Sequence, residues 1–336
     1  MKPLKCWIKQ KKTKECEDNF IKQGNLLQEE LIAFCKGKNL PIHLFSAKQV
    51  NKMSYFAHDD MLSDDASFQL YRGTIEENNR PVCIKKYYCT NPFIGIQGII
   101  REIVIATQMR MHGNSLNLLG CSLETETPVL VFELPDQGCL RDHIFRQQGS
   151  LSWKLRLKIG YEISYALTYL QTSFHRPIIF RNLSSKDVFL DKDYVAKLTG
   201  FYFSVLIPEG EDHVNDAIVG TVGYGAPEYS RSGRLTEKTD VYCFGVLLFE
   251  LLIGVWNHQY GGYSLQLLRK IKDYGQNIEI EMIIDPKILE EVEEKGMRQH
   301  LKEVLEIAVI CTADDENHRP SMVDIASKLK IILCST

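Results

Sequence analysis

The spacing of apolar side chains changes character along this chain, and each change predicts a different kind of element. Between Gly24 and Cys35, Leu27, Leu31 and Phe34 recur at helical intervals, and Gly37 with Pro41 closes the run. That pattern predicts a short amphipathic helix outside the main domain. From Leu62 to about Phe132 the apolar residues alternate or cluster in short runs. Phe68-Gln69-Leu70-Tyr71 and Val82-Cys83-Ile84-Lys85 are separated by polar Glu76-Glu77-Asn78-Asn79-Arg80, the pattern of two strands and a turn. Val129-Leu130-Val131-Phe132 reads as a compact buried strand, and Ile99 to Met109 as a helix. Beyond Gly138 the helical period dominates, at Trp153 to Leu170, Lys238 to Leu252 and Gln299 to Cys311. The expected architecture is therefore α+β, a small sheet-rich lobe followed by a larger helical one.

Composition adds mostly exclusions. The chain has 336 residues, which suits one two-lobed domain or two ordinary ones. A formal net charge of −3 gives no basis for nucleic-acid binding. The 10 cysteines are scattered singly, with no CxxC pair or Cys/His cluster, which points to free thiols in a reducing, intracellular setting. The most hydrophobic stretch, Val241 to Val255, contains Glu250 and falls short of the roughly 20 residues of a membrane span. Met1 to Trp7 lacks the apolar run of a signal peptide, and Lys2 excludes myristoylation. Six lysines (Lys2, Lys5, Lys9, Lys11, Lys12 and Lys14) precede acidic Glu15-Cys16-Glu17-Asp18. The run reads as a solvated tail, with peripheral contact to anionic lipid through Cys6 or Trp7 as the alternative.

Four segments, in order, carry a specific pattern. They are Val82 to Lys85, Arg101-Glu102-Ile103, Gly220 to Tyr229 (GTVGYGAPEY), and Asp240 to Val246 (DVYCFGV). From about residue 46 onward the chain resembles a protein kinase of the plant receptor-like cytoplasmic type. The resemblance implies an antiparallel-sheet N-lobe at residues 46–135 and a helical C-lobe at 136–336, with 1–45 as an extension. It also implies roles. Lys85 and Glu102 correspond to the ATP-binding lysine and its helix partner. Glu228 and Arg319 correspond to the pair that staples the activation segment, and Asp240 to the carboxylate that accepts from the catalytic-loop backbone.

The catalytic motifs depart from that family. Asn182, in Phe180-Arg181-Asn182-Leu183, stands where the aspartate general base belongs, and an amide is too weak a base near neutral pH. Gly200, in Leu198-Thr199-Gly200-Phe201, replaces the carboxylate that holds magnesium against the phosphates. Asp187 places one carboxylate where the second metal residue is normally asparagine. Ser63, Asp65 and Phe68 occupy the three glycine positions of the phosphate-covering loop, so backbone N–H groups lose close approach to phosphate. The expectation is a pseudokinase without metal or nucleotide cofactor, weak ATP binding staying open at Lys85 and Glu102. An atypical serine/threonine kinase and an allosteric partner of an active kinase are the alternatives.

The stretch Gly24 to Ile32, with Gly37-Lys38-Asn39-Leu40-Pro41-Ile42 and Phe45-Ser46, is similar to the N-terminal signature of the ZED-related plant pseudokinases. That resemblance implies an adaptor or decoy in plant innate immunity. Its partners would be the leucine-rich repeats of a coiled-coil nucleotide-binding immune receptor, and bacterial effectors or effector-modified receptor-like cytoplasmic kinases. The implied location is cytoplasmic, at the inner face of the plasma membrane through partners. Gly24, Leu27, Leu31 and Phe34 are the expected receptor contacts, with packing inside the chain as their alternative. The segment from Gly200 to Glu228 is the expected sensing element, mobile until a partner orders it, and Thr221 is a candidate for modification.

Overall fold

The structure, a computed structural model, describes residues 2–36 (side chains from residue 14), 41–54, 56, 58–65, 67–88, 94–145, 151–220, 224–254, 284–294 and 296–336. It divides into two compact units, Met1–Asp136 with Thr199–Phe203, and Gln137–Leu198 with Ser204–Thr336.

The first unit opens with helix α1 (Lys2–Cys35), 34 residues long. The expected tail is thus helical throughout, and the reason is visible in the sequence. Residues 2–20 contain no glycine, and Pro3 lies in the first turn, where its missing N–H costs nothing. The expected separation of this helix from the main domain is also corrected. Gln23, Leu27, Glu30 and Phe34 form one inner stripe. Gln23 Nε2 donates to the Thr125 and Glu126 carbonyls at 2.7 and 3.2 Å.

Glu30 accepts from Gln97 Nε2 at 2.9 Å and from Arg101 Nε and Nη2 at 3.1 and 3.2 Å. The Arg101 guanidinium also stands 5.6 Å over the Phe34 ring. Leu27 and Phe34 are 8% and 4% exposed, so these two expected receptor contacts are committed to the chain's own packing. Gly24 and Leu31 are half-buried. The opposite face leaves Ile21 and Ile32 in solvent, at 61% and 65% exposure.

Short helix α2 (Ala47–Met53) starts at a capping box in which Ser46 accepts from the Gln49 N–H and Gln49 answers the Ser46 N–H. An antiparallel sheet follows: β1 (Met61–Asp64), β2 (Phe68–Ile75), β3 (Arg80–Tyr87), then helix α3 (Ile96–Gln108), β4 (Leu118–Ser122) and β5 (Val129–Glu133). The strand order is β1-β2-β3-β5-β4. Strand alternation splits the residues between two faces. Tyr71, Val82, Ile84, Val129 and Val131 pack against Phe45, Val50 and Met53. Lys85 and Tyr87 on the other face reach α3.

The second unit runs β6 (Gly138–Cys139), α4 (Leu140–Phe145), α5 (Trp153–Thr172), β7 (Ile178–Ile179), β8 (Val188–Leu190), β9 (Ala196–Leu198) and β10 (Val205–Leu206). It continues with β11 (Val214–Asn215), α6 (Pro227–Ser232), β12 (Arg234–Leu235), α7 (Glu237–Ile253), α8 (Pro286–Glu294), α9 (Arg298–Cys311) and α10 (Met322–Ser335). Helix α7 is buried on every side from Thr239 to Ile253, which is why its sequence is apolar all round. Around it, Arg319 is 1% exposed and forks onto Glu228, Nη1 to Oε1 at 2.8 Å and Nη2 to Oε2 at 2.7 Å. The same guanidinium donates to the Ala313 and Lys238 carbonyls at 2.8 and 3.0 Å. Replacing Glu228 by Gln leaves a buried guanidinium without its carboxylate. The expected loss is about 3 kcal/mol, read as a fall in the urea midpoint, and an unchanged midpoint would remove this pair from the scaffold.

Candidate functional site

Each unit carries one half of the positions that the motifs single out. In the first unit the centre is Glu102, whose side chain is fully buried on α3. Its Oε1 accepts from Lys85 Nζ at 2.9 Å, from the Gly200 backbone N–H at 3.1 Å and from the Thr199 hydroxyl at 3.4 Å. Its Oε2 accepts from Lys85 Nζ at 3.2 Å and, at close range, from the Tyr87 hydroxyl. A carboxylate out of water needs such donors, and this one has an ammonium, two hydroxyls and an amide.

Lys85 is 1% exposed, and its ammonium is walled by aromatic rings. Nζ stands 4.1 Å from the Phe68 centroid and 5.0 Å from those of Tyr87 and Tyr202. The three rings meet edge to face, with centroids 5.8–6.2 Å apart. Phe68, at the last glycine position of the phosphate-covering loop, lies directly over the lysine. Cation–π contact of this desolvated kind contributes about 1–2 kcal/mol. Tyr87 and Tyr202 were not singled out by sequence reasoning. Tyr87 was findable, being two residues after Lys85 on the same strand face, whereas nothing local marks Tyr202.

In the second unit, Asn182 lies on the loop between β7 and β8. The loop is held by Asp240, 0% exposed, whose carboxylate oxygens accept from the Phe180 and Arg181 N–H groups at 2.7 Å each. Arg181 takes φ 79°, a left-handed value that costs a side-chain-bearing residue about 1 kcal/mol or more. The two hydrogen bonds to Asp240 offset that strain. Gly220 packs over Asn182: a Cβ built there would sit 3.0 Å from the Asn182 Oδ1, and φ 134° also favours glycine. Asp187 is 5% exposed, and its Oδ2 accepts from the Ser184 N–H at 3.0 Å and hydroxyl at 2.8 Å. Thr221 lies outside the described residues, as do the side chains of the lysine-rich start.

The residues expected to serve metal and nucleotide are each engaged within their own unit. Gly200 offers an amide N–H, directed at Glu102, where a metal needs a hard oxygen ligand. Asp187 caps its own turn, and Lys85 faces a carboxylate and three rings. Asn182 cannot take a proton from a hydroxyl.

The fold and the motif positions together define a protein kinase in architecture. The family model for protein tyrosine and serine/threonine kinases matches residues 58–329, and the chain belongs to that family. It is 36% identical over 322 residues to the non-functional pseudokinase ZED1 of Arabidopsis thaliana, covering 93% of this chain and 95% of that one. Identity to the same plant's serine/threonine-protein kinase ZRK1 is 34% over 329 residues, covering 94% and 92%. Identity to its non-functional pseudokinase ZRK2 is 33% over 324 residues, covering 93% and 89%. Similarity over nearly whole chains places the sequence in the ZED-related group. Among the described residues no helix is long and apolar enough to cross a membrane.

One titration is accessible to test. Burial pushes Glu250 on α7 up to about 7 from an ordinary 4.5, against the lowering effect of the Tyr224 hydroxyl that donates to it. Between those values the folded chain keeps a proton that the unfolded chain has lost. Its contribution is therefore full below about pH 4.5 and is lost as pH rises through about 7. Glu250→Gln, neutral at all pH, should gain stability relative to the parent by on the order of 2 kcal/mol between pH 5 and 7.5. Urea titrations at the two pH values measure this, and parallel curves would contradict the burial argument.

Proposed function

We propose that this chain is a catalytically inert member of its family that works by holding partners together. The observation that carries this reading is the sealed Lys85. Its ammonium is engaged by Glu102 and roofed by Phe68, Tyr87 and Tyr202, so the group that would grip nucleotide phosphates is held by the protein itself. Asn182 and Gly200 support it by chemistry, and the printed names of two relatives support it by kinship. No nucleotide and no metal cofactor enter this function. Saturating Mg-ATP should leave the thermal midpoint of the full chain unmoved. A magnesium-dependent rise would instead favour the alternative of a weak serine/threonine kinase, which the intact Lys85–Glu102 pair and the name of one relative support.

The biological setting we propose is plant innate immunity. The chain would be a cytoplasmic adaptor or decoy linking bacterial effectors, or kinases they have modified, to a coiled-coil nucleotide-binding receptor. Support comes from the resemblance of residues 24–46 to the ZED-related signature and from similarity along nearly the whole chain. With Leu27 and Phe34 turned inward, the receptor-facing side of α1 becomes its outer ridge of Ile21 and Ile32, at 61% and 65% exposure. Ile21→Asp with Ile32→Asp should abolish receptor capture in a pull-down from plant tissue while leaving the thermal midpoint intact. Val323→Asp, on the outer face of α10 at 47% exposure, should change neither. Equal capture by all three proteins would place the receptor elsewhere.

A further inference from the structure

Arg181 is 5% exposed, and its guanidinium must find an anion or carry a large desolvation cost. The carboxylate that meets its side chain is Asp216, on the activation segment, with Nη1 to Oδ2 at 2.9 Å. The remaining donors grip the same segment. Nη2 donates to the Ala217 carbonyl, and Nε to the Tyr229 hydroxyl at 2.9 Å. That hydroxyl accepts in turn from the Val219 N–H at 2.7 Å. Asp240, the other acid at this loop, accepts from backbone N–H groups.

Asp216 is itself fixed at both ends. Its N–H donates to the Gly233 carbonyl at 3.0 Å, next to the β11–β12 pairing, and its Oδ1 accepts from the Ala217 N–H at 2.8 Å. Gly233 has φ 73°, and a Cβ there would lie 2.4 Å from the Asp216 carbonyl oxygen, so only glycine lets the two strands approach.

Activation loops of this fold are commonly ordered when phosphorylation supplies a new anion for an arginine. Here the anion is encoded. We infer that Asp216 is a built-in counter-ion that clamps the activation segment onto Arg181 in one arrangement, without any modification at that position. The segment expected from sequence to stay mobile until a partner arrives is instead anchored at residues 216–219. A kinase or phosphatase has no hydroxyl at 216 on which to act. A partner that reads this segment meets a formed surface, with Ile218 outward at 55% exposure, and orders less chain on binding.

Amide hydrogen exchange on the full chain tests it. Asp216→Asn keeps the shape and removes the charge, and peptides covering 214–219 should exchange at least about tenfold faster than in the parent. Peptides of α5 should exchange at the parent rate. Asp216→Ala should show the same loosening, and added acetate, by offering a carboxylate to the vacated guanidinium, should slow exchange again. Parent-like exchange over 214–219 in Asp216→Asn overturns the clamp. So does loosening in Asp216→Ala that acetate leaves untouched, which would assign the effect to lost packing. A thermal midpoint on each variant separates local loosening from global unfolding, and global unfolding without acetate rescue also counts against it.

Discussion

A carboxylate removed from water is the constraint on which the first unit turns. Glu102 is fully buried beside Lys85, so every lone pair it presents requires a donor. The strand beside it supplies Lys85 and Tyr87, two residues apart on one face. The segment 199–203 supplies a hydroxyl and the Gly200 amide. Those donors fix α3 against β3. The ammonium is also covered by rings, a favourable contact for a cation that has given up its water.

The rigidity of α3 extends outward to α1. Arg101 immediately precedes Glu102 and Gln97 lies one turn earlier, and both reach Glu30. One buried acid holds α3 from inside, and a second acid holds α1 onto it from outside. The long helix is thereby an integral layer of the first unit. Its inner stripe is used, and only the outer ridge remains for another protein.

In the second unit the same logic governs the positions that no longer perform chemistry. Asp240 and Arg181 are polar groups kept in the interior, each satisfied by the chain: Asp240 by two loop amides, Arg181 by Asp216, Ala217 and Tyr229. The loop between β7 and β8 presents Asn182 under Gly220.

The family and the two-lobed architecture are legible in the chain's motifs, and so is the identity of the side chains at 182 and 200. Those features are local: short motifs fix strand and helix identity, and a replaced side chain is absent in any conformation. α5 and α9 are legible because their apolar period persists over three turns or more, and α7 because its apolar run is unbroken over as long a stretch. α1 was read too short because its first half carries no apolar stripe, and its continuity rests on the absence of helix breakers. Tertiary structure alone decided the rest. Whether Leu27 and Phe34 face a partner or α3, whether Tyr202 roofs Lys85, and whether Asp216 meets Arg181 are questions of distance between segments far apart in the chain. Pairing of that kind leaves no periodic trace, because each partner is a single residue whose local pattern is equally compatible with solvent.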